Sequence, residues 1–371
     1  MKALKRLAYI VVTIVFIITS VTILYMQKAT FGKTPAGARL ERIKQSPNYR
    51  DGKFQNLSHT PDLAEGVSYY RVMKDFLFDK DKRNTPADVI PSQKTDLHTL
   101  PIDSNVLVWF GHSSYYIQLD GKRILVDPVF SGSASPLRFT TKSFKGSDAY
   151  TVDDFPHIDY LFITHDHYDH LDYETIMQLK PKLGKIIMGL GVGAHFEHWG
   201  FNADKLIERD WNETIVLDDS FTIHTTPARH FSGRGFKRNQ SLWMSYVLQS
   251  PSMKLFLGGD SGYDTHFKTI GDTFGPFDLA ILECGQYNAY WKYIHMMPEQ
   301  TAQAAIDLHA GRLMPVHWSK FSLSLHAWDE PINRVTTAAT AKDLPIVTTM
   351  IGQPINLNDM SSGNTWWLGV K

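Results

Sequence analysis

Cysteine is nearly absent: Cys284 is the only one in 371 residues. A lone thiol excludes an internal disulfide and a thiolate-rich metal site. It reads most simply as a small buried residue. Charge of one sign is absent as well. The 38 Lys and Arg balance 38 Asp and Glu, so the formal net charge is zero. That balance offers neither the basic surface of a nucleic-acid binder nor an acidic tail. No repeat of roughly 20–50 residues and no low-complexity block is found, which excludes solenoids and arrays. The 43% hydrophobic content is enough for one large domain or two small ones.

What is present is unevenly spread. Met1-Lys2-Ala3-Leu4-Lys5-Arg6 is basic, and Leu7 to Met26 then runs without a charge, rich in Ile and Val. That run can cross a hydrocarbon core of roughly 30 Å. A cleaved signal has a shorter apolar core and a small-residue cleavage site, whereas Tyr25-Met26-Gln27-Lys28 follows here. Residues 1–26 are therefore expected to be an uncleaved single-pass membrane anchor. Lys2, Lys5 and Arg6 would keep the short tail in the cytoplasm, although Lys28, Lys33, Arg39, Arg42 and Lys44 follow the span. Long domains cross regardless of charge. The rest of the chain is thus expected on the extracytoplasmic side.

Residues 27–104 are polar, with scattered Pro, Gly and Asn, and read as an extension packed over the core. Short helices are expected at Ala36–Ile43 and Tyr69–Leu77. The pattern changes at residue 105, where a domain is expected to run to 371. Val106–Phe110, Tyr115–Leu119 and Arg123–Val126 read as strands, with Asp120-Gly121 as a type I′ hairpin turn. Further strands are expected at Lys185–Met188, Thr214–Leu217, Phe221–Thr225, Ser241–Leu248, Lys254–Leu257, Leu279–Leu282 and Leu313–Val316. Helices are expected at Tyr173–Lys180, Gly193–Trp199 and Glu299–Leu308. Many strands interleaved with a few helices imply an α/β layered architecture.

One run dominates the rest. Thr164-His165-Asp166-His167-Tyr168-Asp169-His170-Leu171-Asp172 places four potential metal ligands, His165, His167, Asp169 and His170, within six residues. The apolar run Tyr160-Leu161-Phe162-Ile163 leads in, and a helix-like stretch follows. A tight strand-to-helix loop can aim such side chains at one point. Imidazole with carboxylate suits zinc and other borderline divalent ions.

A metal cluster also needs ligands from distant loops held by a rigid scaffold. Three positions at strand ends fit. His230 lies in a Pro- and Gly-bearing loop after Phe221–Thr225, whereas His224 within that strand reads as structural. Asp260 follows the apolar strand and Gly258-Gly259; a turn cap is its alternative role. His317 ends Leu313-Met314-Pro315-Val316; a satisfied core histidine is its alternative.

This order resembles the metallo-β-lactamase superfamily, from about residue 105 to 335. The resemblance implies an αββα sandwich of two mixed sheets flanked by helices, with a binuclear metal site on one edge. Carried over, His165, His167 and His230 would hold one ion. Asp169, His170 and His317 would hold the other, and Asp260 would bridge them. Trp109-Phe110-Gly111-His112-Ser113-Ser114, Leu125-Val126-Asp127-Pro128, Asp260-Ser261-Gly262-Tyr263 and His295-Met296-Met297-Pro298-Glu299 are similar to the N-acyl phosphatidylethanolamine phospholipase D branch and its bacterial relatives.

That likeness implies a hydrolase with two divalent ions, most simply Zn2+, and a hydroxide between them as nucleophile. The expected substrate is N-acyl phosphatidylethanolamine or a related phospholipid. The alternatives are a lactonase or other small-molecule hydrolase, and a membrane-tethered metal-binding protein without activity. Asp166 is a candidate for orienting an imidazole or shuttling a proton, with a helix cap as its other reading. His295 is a candidate general acid or phosphate contact, or else a structural residue before a Pro-started helix. Arg229, in a basic cluster with Arg234, Lys237 and Arg238, is a candidate anion contact, with a solvated loop as its other reading. Tyr287 and Trp291 belong to an aromatic segment that either lines an acyl groove or covers the sheet edge.

Overall fold

The computed structural model describes residues 1–218, 220–360 and 363–371. The chain opens with helix α1 (Lys2–Tyr25), long and apolar enough to cross a membrane and without a single buried residue. Residues beyond it lie over the folded core. Helix α2 (Gly37–Ile43), a small ribbon of β1 (Tyr49–Arg50) with β2 (Lys53–Phe54), and helix α3 (Tyr69–Phe78) are the regular parts of this stretch. Specific contacts fasten it. Arg39 Nε meets Glu208 at 2.7 Å, and the Phe54 N–H donates to the Asn239 carbonyl at 2.9 Å.

Two sheets follow. The first runs β15 (Pro354–Asn356), β3 (Val106–Trp109), β4 (Tyr115–Leu119), β5 (Lys122–Val126), β6 (Ile158–Ile163), β7 (Leu183–Gly189), β8 (Leu206–Arg209). Its β15-to-β5 part is antiparallel and its β5-to-β8 part is parallel. The second sheet runs β14 (Leu313–Val316), β13 (Leu279–Glu283), β12 (Lys254–Leu257), β11 (Ser245–Gln249), β10 (Phe221–Thr226), β9 (Thr214–Asp218). It is parallel at β12–β14 and antiparallel from β12 to β9. Both sheets are mixed, as expected.

Strand alternation divides the core. Leu107, Trp109, Ile117, Ile124 and Phe162 face the second sheet and join Ile223, Tyr246 and Leu257 in the central cluster. Val108, Tyr116, Leu125, Leu161 and Ile186 face outward and pack with Ile176, Leu179 and Phe196 from α4 (Tyr173–Leu179) and α5 (Gly193–His198). Helices α6 (His266–Phe274), α7 (Pro298–Asp307) and α8 (Glu330–Thr340) bring Phe267, Ala302 and Ile332 to the second sheet. Burial on both faces explains why strands such as β4 and β13 are almost wholly buried.

The hairpin at Asp120-Gly121 has φ of 46° and 77°, both left-handed, as a type I′ turn requires. The expected strand at Ser241–Leu248 is shorter, beginning at Ser245. Residues before it cross to the other sheet: the Leu242 N–H donates to the Leu190 carbonyl and the Met244 N–H to the Thr164 carbonyl. That crossing ties the metal-type loop to the second sheet.

Candidate metal centre

The candidate residues gather where strand ends from the two sheets meet. The loop 164–172 leaves β6, His230 follows β10, Asp260 follows β12, and His317 follows β14. Ligands at the carboxyl ends of strands are held by rigid scaffold rather than by free loop. Gly259 shows how close the two sheets approach. Its φ is 63°, and a Cβ there would lie 2.8 Å from Thr164 Cβ, so a side chain would push the loop away. His317 and His112, with φ of 69° and 52°, also occupy left-handed backbone that non-glycine residues seldom adopt. Such outliers concentrate at functional sites.

The first group is His165 Nε2, His167 Nδ1 and His230 Nε2. His167 Nδ1 lies 2.9 Å from the first and 3.2 Å from the last. The second group is Asp169, His170 and His317, with His112 beside them. Asp260 stands between the groups. Its Oδ2 is 3.1 Å from His170 Nε2 and 3.8 Å from both His165 Nε2 and His230 Nε2. Its Oδ1 is 3.2 Å from His317 Nδ1.

Outer contacts fix which nitrogen faces inward. His170 Nδ1 donates to Asp127 Oδ2 at 2.8 Å, and His230 Nδ1 donates to the Ile294 carbonyl at 2.8 Å. His165 Nδ1 meets Thr164 Oγ1 at 3.1 Å. Each arrangement turns the other ring nitrogen toward the cluster, the usual design of metal-binding histidines. His112 Nε2 donates to Asp169 Oδ2 at 3.0 Å, so it orients that carboxylate.

The donor set suits a cation. Among the described residues, His170 Nε2 and Asp260 Oδ1 are buried and have no hydrogen-bond partner. Such groups are rarely left unpaired in a protein interior. Burial holds His165, His230 and His317 well below the usual histidine range and pushes His167 down to about 4. Burial would raise Asp169 and Asp260, but His170 together with His112 at the first and with His317 and His295 at the second outweighs it and holds both well below the usual carboxylate range. Neutral imidazole and ionised carboxylate are the forms that bind metal. His170 differs. Burial opposes its charge, yet Asp260, Asp169 and Asp127 hold its pKa well above the ordinary value. A cation among those carboxylates would take over the charge that the proton supplies.

His295 joins the rim. Its Nδ1 lies 3.0 Å from Glu283 Oε2, and its ring centroid is 5.0 Å from that of His230. Asp166 does not join the cluster. Its carboxylate takes the Gly233 N–H at 2.7 Å, the Ser241 hydroxyl at 2.7 Å and His195 Nε2 at 3.2 Å. The imidazole it orients is therefore that of His195.

The three candidate substrate contacts have partners within the protein. Arg229 donates to Thr60 Oγ1 and the His59 carbonyl, and its guanidinium lies over Tyr293. Tyr287 is buried, with its hydroxyl on Glu330, and Trp291 is stacked on Phe76 with Nε1 on the Gln286 carbonyl. Cys284 is buried, and His224 pairs with Thr214 inside the sheet.

Sequence reasoning passed over His112, Glu283 and Asn56. His112 and Glu283 carried the same signal as His317 and Asp260, a polar side chain at the end of an apolar strand. Asn56 carried no local signal, because its partner lies 174 residues away.

Two mixed sheets packed face to face, with a histidine–carboxylate cluster at their shared edge, define the metallo-β-lactamase fold. The chain belongs to that superfamily of metal-dependent hydrolases: residues 122–318 match the family described as the beta-lactamase superfamily domain. It is 36% identical over 328 residues to an uncharacterized protein of Mycobacterium tuberculosis, covering 87% of this chain and 88% of that protein. It is 29% identical to N-acyl-phosphatidylethanolamine-hydrolyzing phospholipase D 1 of Caenorhabditis elegans, covering 73% of this chain and 84% of the relative. Among solved structures, Igni18, a metallo hydrolase from Ignicoccus hospitalis, matches with a TM-score of 0.54 at 19% identity, covering 68% of this chain and 97% of Igni18. That likeness concerns the fold.

Proposed function

We propose that this chain is a membrane-anchored, zinc-dependent phosphodiesterase of phospholipase D type, acting on N-acyl phosphatidylethanolamine or a related phospholipid. The observation that carries the reading is a full histidine–carboxylate cluster in a chain similar to the Caenorhabditis elegans phospholipase over 73% of its length. His165, His167 and His230 would hold one ion, Asp169, His170 and His317 a second, with Asp260 shared. Two bound divalent ions would supply a hydroxide at neutral pH and offset charge on the phosphoryl oxygens.

The chain's own groups do the rest. Asp127, Thr164 and the Ile294 carbonyl fix ring orientation, so the donors are set before substrate arrives. His112 holds Asp169. His295 would give a proton from its ring to the leaving alkoxide oxygen, while Glu283 accepts its Nδ1–H. Helix α1 would keep the site beside lipid and raise the local concentration of head groups. Residues 27–104 serve as an extension over the catalytic domain of residues 105–371.

The test is hydrolysis of N-acyl phosphatidylethanolamine by the full chain in detergent, with His165→Ala as control. Release of N-acylethanolamine and phosphatidic acid, lost in the control, is the expected result. Bound metal without phospholipid cleavage would reject the substrate and move the search to lactones and soluble phosphodiesters.

A further inference from the structure

Helix α1 has no buried residue, and its last turn meets the folded domain. The Tyr25 hydroxyl donates to the Pro136 carbonyl at 2.9 Å. Ile23 and Met26 share a cavity of about 450 Å³ with Phe236, Lys33 and Lys237. Two loops therefore flank the base of the helix, residues 135–140 and residues 233–238. Both present large apolar side chains to solvent. Phe236 is 83% exposed and Phe139 is 75% exposed, with Leu137 beside the latter. Single exposed hydrophobics are ordinary on a protein surface. Phe236 lines the same cavity as Ile23 and Met26 in the last turn of a helix long enough to span a bilayer, and Phe139 stands three residues beyond Pro136, which Tyr25 meets.

The loops are held firmly at their shoulders. In the first, Ser135 Oγ accepts from the Leu137 N–H at 3.1 Å and from Thr140 Oγ1 at 2.8 Å. In the second, the Gly233 N–H is bound to Asp166 Oδ1 at 2.7 Å. The buried Arg234 donates to the carbonyls of Thr30, Asp166 and Leu171, joining the segment after α1 to both ends of the metal-type loop. Its guanidinium also lies over Tyr168, 4.1 Å from the ring centroid. Only the tips are left projecting. Lys33 and Lys237 line the cavity beside Phe236, Lys28 lies over the Tyr25 ring, and Arg138, next to Phe139 in the chain, pairs with Glu174.

We propose that residues 135–140 and 233–238 form a docking collar that seats the folded domain on an anionic bilayer around the base of α1. Phe139 and Phe236 enter the headgroup–acyl boundary, roughly 5–10 Å deep, as interfacial aromatic groups do, while the lysines meet anionic head groups. The second loop begins three residues after His230, and Asp166 lies between His165 and His167. The collar therefore fixes the metal centre's height and tilt over the lipid. It limits access to head groups in the same leaflet. The inference rests on α1 spanning the bilayer and not on which phosphodiester or lactone is cleaved.

The buried Cys284 leaves a newly introduced surface thiol as the labelling site. The full chain carrying Phe139→Cys, Phe236→Cys, Ile14→Cys or Val216→Cys would be spin-labelled and placed in nanodiscs of phosphatidylethanolamine and phosphatidylglycerol. Collision with oxygen and with a water-soluble nickel chelate then reports depth. Ile14 marks the helix centre, and the exposed Val216 on β9 marks water. The expected result is loss of nickel access at positions 139 and 236, with oxygen access shifted toward that of position 14. Aqueous values at 139 and 236 with a lipid value at 14 would overturn the collar and leave the anchor standing. Aqueous values at all three would overturn both.

Discussion

Asn56 closes a ring of two hydrogen bonds on the backbone of His230: its Nδ2 donates to the His230 carbonyl at 2.8 Å, and its Oδ1 accepts the His230 N–H at 3.1 Å. The same oxygen accepts from Trp243 Nε1 at 3.0 Å. A residue of the N-terminal extension thus sets where a candidate ligand stands. Asn56→Ala is expected to leave the fold intact and to weaken metal binding about 10–100-fold, the usual effect of losing an outer-shell partner. Calorimetric titration of the metal-stripped protein would check this. Unchanged affinity would show that the Ile294 carbonyl alone is enough to hold the imidazole.

Much of the fold was legible because burial on both faces writes continuous apolar runs. Tyr115–Leu119, Lys254–Leu257 and Leu313–Val316 agree with the observed strands at both ends. The edge strands β8 and β15 were passed over. Leu206–Arg209 alternates weakly, and Pro354–Asn356 is short with two exposed residues. Helices α6 and α8 were also missed, because Gly271 and a run of Thr mask their apolar faces. In the site, residues in one loop or at a strand end could be read directly. Long-range partners could not, since no local pattern links Asn56 to His230 or Arg234 to Thr30.

The metal should also contribute to stability. Asp260 is buried and Asp169 nearly so, and among the described residues His170 Nε2 has no hydrogen-bond partner. Removing bound ions by chelation is expected to abolish hydrolysis and to lower the thermal midpoint, and readded Zn2+ should restore both. At a free-metal concentration of 100 times Kd, each site contributes about 2.7 kcal/mol. Scanning calorimetry on stripped and reloaded protein measures the difference. Equal midpoints would mean that the protein binds no ion in this cluster.

Acid should weaken the contact between the two sheets. Asp218, at the end of β9, accepts from the Tyr160 hydroxyl of β6 at 2.8 Å and pairs with Lys122 at 3.0 Å. Burial would raise its pKa, but Lys122, Tyr160 and Ser220 outweigh it and hold the carboxyl well below the usual range. A depressed folded-state pKa stabilises above the unfolded value of about 3.9, and that contribution fades as pH falls toward the folded value. The Lys122 pair is partly solvated and adds little. Asp218→Asn should therefore cost about 1–2 kcal/mol at pH 7 and less at pH 3. Urea unfolding at both pH values tests the sign. A constant difference would point to lost packing instead of lost charge.

His295 offers the sharpest separation of roles at the centre. It lies close enough to Asp260 and His317 to serve as a ligand, yet its Nδ1 is engaged by Glu283 at 3.0 Å. Burial opposes its charge, but Glu283 and Asp260 outweigh it and push its pKa up to about 9. A charged imidazole can donate a proton and cannot bind a cation. If it is the general acid, His295→Asn keeps the metal content and lowers kcat about 10²–10⁴-fold. A substrate with a good leaving group, such as a p-nitrophenyl phosphodiester, should recover most of that loss, because little protonation is then needed. Metal analysis beside rates on both substrates decides the question. A fall in bound metal, with no recovery on the activated ester, would make His295 a ligand and leave the leaving oxygen to be protonated by water.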